Sequence, residues 1–349
     1  MNMQGPAPAG PCTRRRHNNG RTGVYPPAGP FGTRIFIHLK SMDSLAKASL
    51  KSASHSISPN RRRVGLLLLL PLIFAVLFAA AYPAAYLALT SISKSTMGRP
   101  LISWVGLNNF VSALQSDFVW SLMRTALFAI PTSLVQLILG IGIAVLLNSK
   151  MRFRSLASTL LLLPLMSPPV MVGIAWKVML HPTGGFVSRT LDQFAWLHTP
   201  PSFLGEMPWA ILSIAAADTW QWTPFIVILV YAALQTLPAE FEEAARIDGA
   251  GYPRILFAVQ LPLLAPALIA IHLLKLILSF KTFDLVYVLT SGGPGVETSL
   301  SSFKIWKTLF QDFNLGLASA QTLLLCLIVT LITLPVTWWH RKIQRNASL

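Results

Sequence analysis

Long apolar runs separated by short polar or basic stretches set the pattern of this chain, at 64–89, 125–147, 156–180, 209–234, 263–289 and 315–339. A helix rising ~1.5 Å per residue needs about 20 apolar residues to cross a hydrocarbon core of ~30 Å, so each run predicts one membrane-spanning helix. The first run follows Arg61-Arg62-Arg63 and contains Ala79-Ala80-Ala81, which also reads as a secretory signal. Its length exceeds the apolar core of such a signal, and an uncleaved first span is expected. Pro131 and Pro335 read as prolines tolerated inside spans, whose freed carbonyls find other partners. Pro164 with Pro168-Pro169 permits two readings, a tolerated kink or a break beside a mid-membrane cavity. The most highly charged of the interruptions lies at 237–262, between the fourth and fifth runs.

Composition gives the same class. Of 349 residues, 53% are hydrophobic and 11% charged, against about 25% charged in soluble domains. The reading is an all-α integral membrane protein with six transmembrane helices, its membrane domain over 61–345. The net charge of +16 raises nucleic acid as a partner. The basic residues, however, cluster at the ends of apolar runs, as in Lys150, Arg152 and Arg154. That is the positive-inside pattern and not a basic stripe on a soluble domain, so the bilayer and no nucleic acid is expected. The same bias puts both termini and the 237–262 loop in the cytoplasm. Residues 1–60 are rich in Pro, Gly, Ser and Arg, with Asp43 their one acid. They read as a disordered basic tail. A transit peptide, or translation starting at Met42, explains the same composition, and the latter is preferred. Cys12 and Cys326 form no disulfide framework, and Cys-His metal spacing is absent.

The polar interruption reads as a short helix, a glycine-hinged turn, a second short helix and a proline opening the fifth span. Ala244 and Ala245 leave the first helix bare on one side, and Gly249 is free to take positive φ. Glu243-Ala244-Ala245, Gly249 four positions after Ala245, and Leu261-Pro262 twelve and thirteen after that glycine closely resemble the cytoplasmic EAA loop of ABC-importer permeases. Val259 stands where that family usually has isoleucine. Tyr231–Pro238, Phe283-Asp284, Thr290–Pro294 and Gly316–Ala320 are similar to the carbohydrate branch, which includes the maltose and glycerol-3-phosphate types. The resemblance covers roughly residues 60–345. It implies a type I ABC-importer permease fold in a bacterial cytoplasmic membrane. It also implies a second, different permease subunit, two ATP-binding subunits and an extracytoplasmic solute-binding protein. Glu243, Ala244, Ala245, Asp248, Gly249, Leu261 and Pro262 would then form the ATPase-coupling element. No cofactor is expected in this chain. The phosphate-binding pattern G-x-x-x-x-G-K-S/T does not occur, so ATP and Mg belong to the partner subunits.

Charge inside a span needs a partner or a role. Asp218 lies ~14 Å into the fourth span from its outer end, and Lys275 ~18 Å into the fifth from its inner end. These depths nearly coincide, which predicts that the two residues meet, as a structural pair or as part of a solute path. Near Asp218 in sequence stand Trp220, Gln221 and Trp222, side chains suited to the apolar faces and hydroxyls of a sugar or equally to packing. Asp284 joins the candidate path residues and is expected to pair locally with Lys281. Lys177 reads as a snorkelling residue. The function expected is import of a carbohydrate or polyol. Import of glycerol 3-phosphate or another small solute is the alternative, and a membrane-embedded enzyme using Asp218, Asp284 and scattered histidines belongs to a different class.

Overall fold

The computed structural model describes residues 59–149, 152–193 and 201–347. Residues 1–77 and 78–349 are separate units. The tail expected over 1–60 lies outside the described residues, except for its last two, which open helix α1 (Pro59–Ser91). Side chains of α1 are exposed from Leu69 to Tyr86. Among the described residues, five helices are long and apolar enough to span a membrane, and one bent pair supplies a sixth when counted as a single span.

After α1 the chain pairs β1 (Ser93–Lys94) with β2 (Ser103–Trp104) in an antiparallel hairpin. It then passes through α2 (Asn108–Gln115) into α3 (Phe118–Asn148). The second span therefore starts seven residues before the expected position 125. Arg124 is accommodated inside it because Asp117 and Glu297 lie 3.5 and 3.8 Å from its guanidinium. Gly316 of the last span presses on the hairpin, where a Cβ would sit 2.5 Å from the Ser93 carbonyl oxygen.

The third span is not the single helix expected over 156–180. It comprises α4 (Arg154–Met166) and α5 (Pro169–Met179), bent by 96°. The cause is local. Each residue before a proline is driven from helical to extended backbone, and Ser167 and Pro168 both take ψ of 135°. A short helix α6 (Phe186–Gln193) follows, and then α7 (Trp209–Leu234), which matches the expected fourth span.

Helices α3 and α7 form the spine of the 78–349 unit. Between apolar helices in lipid, small residues allow close approach where the hydrophobic effect gives no drive. Ala129, Ser133, Gly140 and Ala144 line one face of α3, and Ala210, Ser213, Ala217 and Gln221 one face of α7, all buried. At Gly140 the two helices approach so closely that a Cβ would fall 2.5 Å from Ile226 Cγ2.

The polar interruption forms α8 (Ala239–Ile247) and α9 (Tyr252–Ile255). A π-helical turn over Leu256–Gln260 joins α9 to α10 (Leu261–Ser279) without a stop. Pro262 was expected to open the fifth span, yet backbone helix begins ten residues earlier at Tyr252. The wide turn explains how: Leu261 N–H reaches back to the Leu256 carbonyl, a register shift that absorbs the donor Pro262 lacks. The far end of this span also departs from expectation. Helix α10 stops at Ser279, and after a break α11 (Asp284–Leu289) resumes. Two further helices, α12 (Ser301–Phe310) and α13 (Leu315–Ala347), complete the fold. The second halves of the two broken spans pack together. A Cβ on Gly173 of α5 would meet Val288 Cβ of α11 at 2.9 Å, and Lys177 Nζ donates to the Val288 carbonyl at 2.9 Å. Lys177 is exposed, as expected of a snorkelling group, but it also caps α11.

Candidate functional site

Two features stand out, an exposed elbow at one end of α7 and α10 and a buried polar node within the bundle. The elbow is built by its glycine. Gly249 takes φ of 77°, a left-handed conformation in which a Cβ is strained. Its N–H donates to the Arg246 carbonyl and that of Ala250 to the Ala245 carbonyl, 3.0 Å each. These paired bonds satisfy the last carbonyls of α8 and turn the chain sharply. Glu243, Ala244 and Asp248 are exposed and Ala245 is half-buried, so the small-residue face is available as the sequence suggested. Around it Ile247 is 86% and Phe257 69% exposed.

The elbow is also tied to the bundle. Glu242, which the sequence did not single out, pairs with Arg246 one turn on. It also accepts from Gln260 Nε2 at 3.3 Å. Gln260 is buried in the π turn. The Gly249 turn and the Glu242–Gln260 bond thus both connect α8 to α9 and α10.

The node joins α3, α7 and α10. Lys275 Nζ lies 3.1 Å from Asp218 Oδ2, with side-chain exposures of 1% and 2%. The meeting predicted from helix depths is therefore present. Gln136 Nε2 donates to the same oxygen at 2.7 Å, a third member absent from the sequence reading. The Lys275 ammonium also stands 5.1 Å from the centre of the Trp222 ring, a favourable site for a cation. A carboxylate that receives an ammonium and an amide, with an aromatic face behind the ammonium, keeps both charges solvated by protein inside an apolar bundle.

Beside the node a cavity of about 150 Å³ opens at the two helix breaks. Asp218, Gln221, Trp222, Lys281, Thr282 and Asp284 supply its polar lining. Gln221 Nε2 donates at 3.3 Å to the Ser167 carbonyl freed by the proline break. Its Oε1 is buried without a protein partner. No ion pair joins Lys281 to Asp284, contrary to the local pairing expected. That pairing requires continuous helix, and the chain breaks between the two residues. Of the candidate path residues, Asp218, Gln221, Trp222 and Asp284 converge on this cavity, with Lys275 behind it. Trp220 does not join them. It is exposed on the other face of α7, edge-to-face with Trp176 at 6.4 Å, and it lines a separate apolar crevice of about 910 Å³.

Residues 136–348 match the model of the family described as binding-protein-dependent transport system inner membrane component. The chain is 32% identical over 284 residues to the trehalose/maltose transport system permease protein MalF of Thermococcus litoralis, an alignment covering 80% of this chain and 95% of that one. It is 30% identical over 233 residues to the sn-glycerol-3-phosphate transport system permease protein UgpA of Agrobacterium fabrum, covering 66% and 78%. Among solved structures, it shares its fold with a chain of a bacterial ABC transporter that imports the acidic polysaccharide alginate. That match has a TM-score of 0.72 and 21% identity, and covers 81% of this chain and 97% of the other.

Proposed function

The chain belongs to the binding-protein-dependent transport system inner membrane components, and from that premise we propose that it carries a neutral carbohydrate or polyol inward when driven by separate ATPase subunits. The family is one of transporter permeases, so the membrane-enzyme alternative falls. In this reading α8 and the turn at Gly249 seat in a cytoplasmic ATPase, both termini lie on that same side, and a second permease subunit completes the path. ATP and Mg bind in the ATPase pair, and a solute-binding protein delivers from the opposite face. The membrane domain occupies 61–345, with 237–262 as its coupling loop.

The mechanical sequence follows from the connections described above. ATP-driven closure of the partner moves α8, and the Gly249 turn and Glu242 carry that displacement into α9 and α10. At its other end α10 holds Lys275 and then breaks beside the cavity. A shift of α10 therefore changes the shape of that cavity through Lys275–Asp218 and the break at 280–283.

One observation carries the choice of a neutral solute. The Lys275 cation is consumed by Asp218 inside the bundle, leaving Lys281 opposite Asp284 at the cavity. A phosphate-bearing solute calls for cations in excess, whereas balanced charges with amide, hydroxyl and indole groups suit a polyhydroxylated one. The relatives that carry trehalose, maltose and glycerol 3-phosphate frame the test. Proteoliposomes holding the assembled importer, with its own binding protein, are expected to take up radiolabelled disaccharide only with ATP inside. Asp284→Ala is expected to reduce that uptake about tenfold, the loss of one charge-assisted hydrogen bond. Uptake of glycerol 3-phosphate with none of disaccharide would overturn the assignment.

A further inference from the structure

Below the large apolar crevice, at the end of the bundle that carries the elbow, lies a second crevice of about 490 Å³. Leu147 of α3, Arg154, Ser155 and Ser158 of α4, and Val227 and Tyr231 of α7 line it. Its lining is mainly apolar, and half-buried Arg154 is the one charged residue among the described residues that form it. Arg154 forms no ion pair with any described residue. Its guanidinium carbon sits 4.8 Å from the centre of the Tyr231 ring. A guanidinium held over an aromatic face, with its in-plane donors free and two serines beside it, presents the geometry that grips a phosphate. No acid occurs between Asn148 and Ser158 to neutralise it, and Lys150 and Arg152 add like charge in the same loop.

We propose that this crevice holds one anionic phospholipid, its phosphate on Arg154 and an acyl chain along α4. Length supports the choice. Leu161 lines both crevices, which lie between the same three helices α3, α4 and α7. From Arg154 to Pro164, which lines the upper one, α4 rises ~15 Å, the depth of one leaflet of a ~30 Å core. Charge supports it too. A choline or ethanolamine headgroup would bring a cation into a loop that has no acid, whereas an anionic glycerophosphate headgroup meets basic residues only.

The position gives the lipid a consequence for coupling. Tyr231 lies one turn before Gln235, whose amide donates to Asn148 Oδ1 at 2.6 Å, and α8 starts four residues later. A lipid wedged between α4 and α7 braces the root of the elbow.

Native mass spectrometry of the delipidated, assembled importer, titrated with phosphatidylglycerol or phosphatidylcholine of identical acyl chains, tests this directly. The unmodified protein is expected to retain phosphatidylglycerol about fivefold better, a preference that Arg154→Gln abolishes. Ser158→Phe, which fills the crevice, is expected to lower retention of both lipids. Equal retention of the two lipids by the unmodified protein would overturn the proposal without recourse to any variant. So would an undiminished preference in Arg154→Gln, or displacement by excess inorganic phosphate, which marks a free-anion site. Disulfide capture of the second permease subunit by Ser158→Cys would show the crevice filled by protein and overturn it equally. None of these readouts depends on which solute is transported.

Discussion

Lys275→Met is expected to destabilise the membrane unit by about 3–5 kcal/mol, because it leaves the Asp218 carboxyl group buried without its cation and held by Gln136 alone. Thermal unfolding of the purified protein reads this as a large fall in Tm, and the yield of assembled importer falls with it. The companion variant decides the cause. Asp218→Leu with Lys275→Met removes both charges and replaces them with groups that pack in an apolar bundle, so most of the stability is expected to return. Exchanging the residues, Asp218→Lys with Lys275→Asp, is expected to outperform Asp218→Lys alone. If neither double variant exceeds its worse single, the two charges are not coupled. Uptake then separates structure from path: a stable apolar double variant that no longer transports assigns the node a part in moving solute, and one that transports normally assigns it to the scaffold.

The second large effect is expected at the elbow. Gly249→Val forces a β-branched side chain into a backbone with φ of 77°, at a cost of roughly 1–2 kcal/mol, and disturbs the bonds that close α8. Coupled uptake is expected to fall about tenfold, since ~1.4 kcal/mol is a factor of ten. The turn is exposed and lies outside the buried core, so Tm is expected to fall much less than in Lys275→Met. Gly249→Asn supplies the control, because asparagine tolerates the left-handed region and is expected to retain most uptake. Equal loss in both variants would mean that the missing side chain, and not the backbone conformation, is what the partner requires.

The elbow was the most legible part of the chain, because its glycine, its alanines and its proline each answer a local backbone demand at fixed spacing. Asp218 and Lys275 were legible from helix rise alone. Gln136 was not singled out, though the signal existed: an amide in the middle of an apolar span needs a partner as surely as a carboxylate does. Trp220 neighbours Gln221 and Trp222 in sequence, yet a helix turns 100° per residue and places it on the opposite face from Asp218. Pro164 and Pro168-Pro169 permit the 96° bend without requiring it. The break at 280–283 had no signal of that kind, since neither proline nor glycine occurs in Phe280-Lys281-Thr282-Phe283. What interrupts the helix there is tertiary: Phe280 is anchored in a core with Phe118, Leu122 and Leu325, while Leu285 and Val286 pack with Phe128, Val172 and Ile214 in another. Two separate packing layers, each demanding its own helix orientation, are not visible in a single run of apolar residues. Glu242 escaped notice for a similar reason, because its bond to Gln260 depends on how the elbow folds back.

The claim on which the rest depends is that a separate ATPase grips the loop between α7 and α10. Site-directed disulfide capture from Ala245→Cys measures this most directly, in an assembled importer whose Cys12 and Cys326 are replaced by serine. The account predicts a covalent adduct with the ATPase subunit, whose yield changes when ATP is added, and no adduct with the solute-binding protein. Capture of the solute-binding protein, or labelling of that cysteine by a membrane-impermeant reagent added to intact cells, would contradict it.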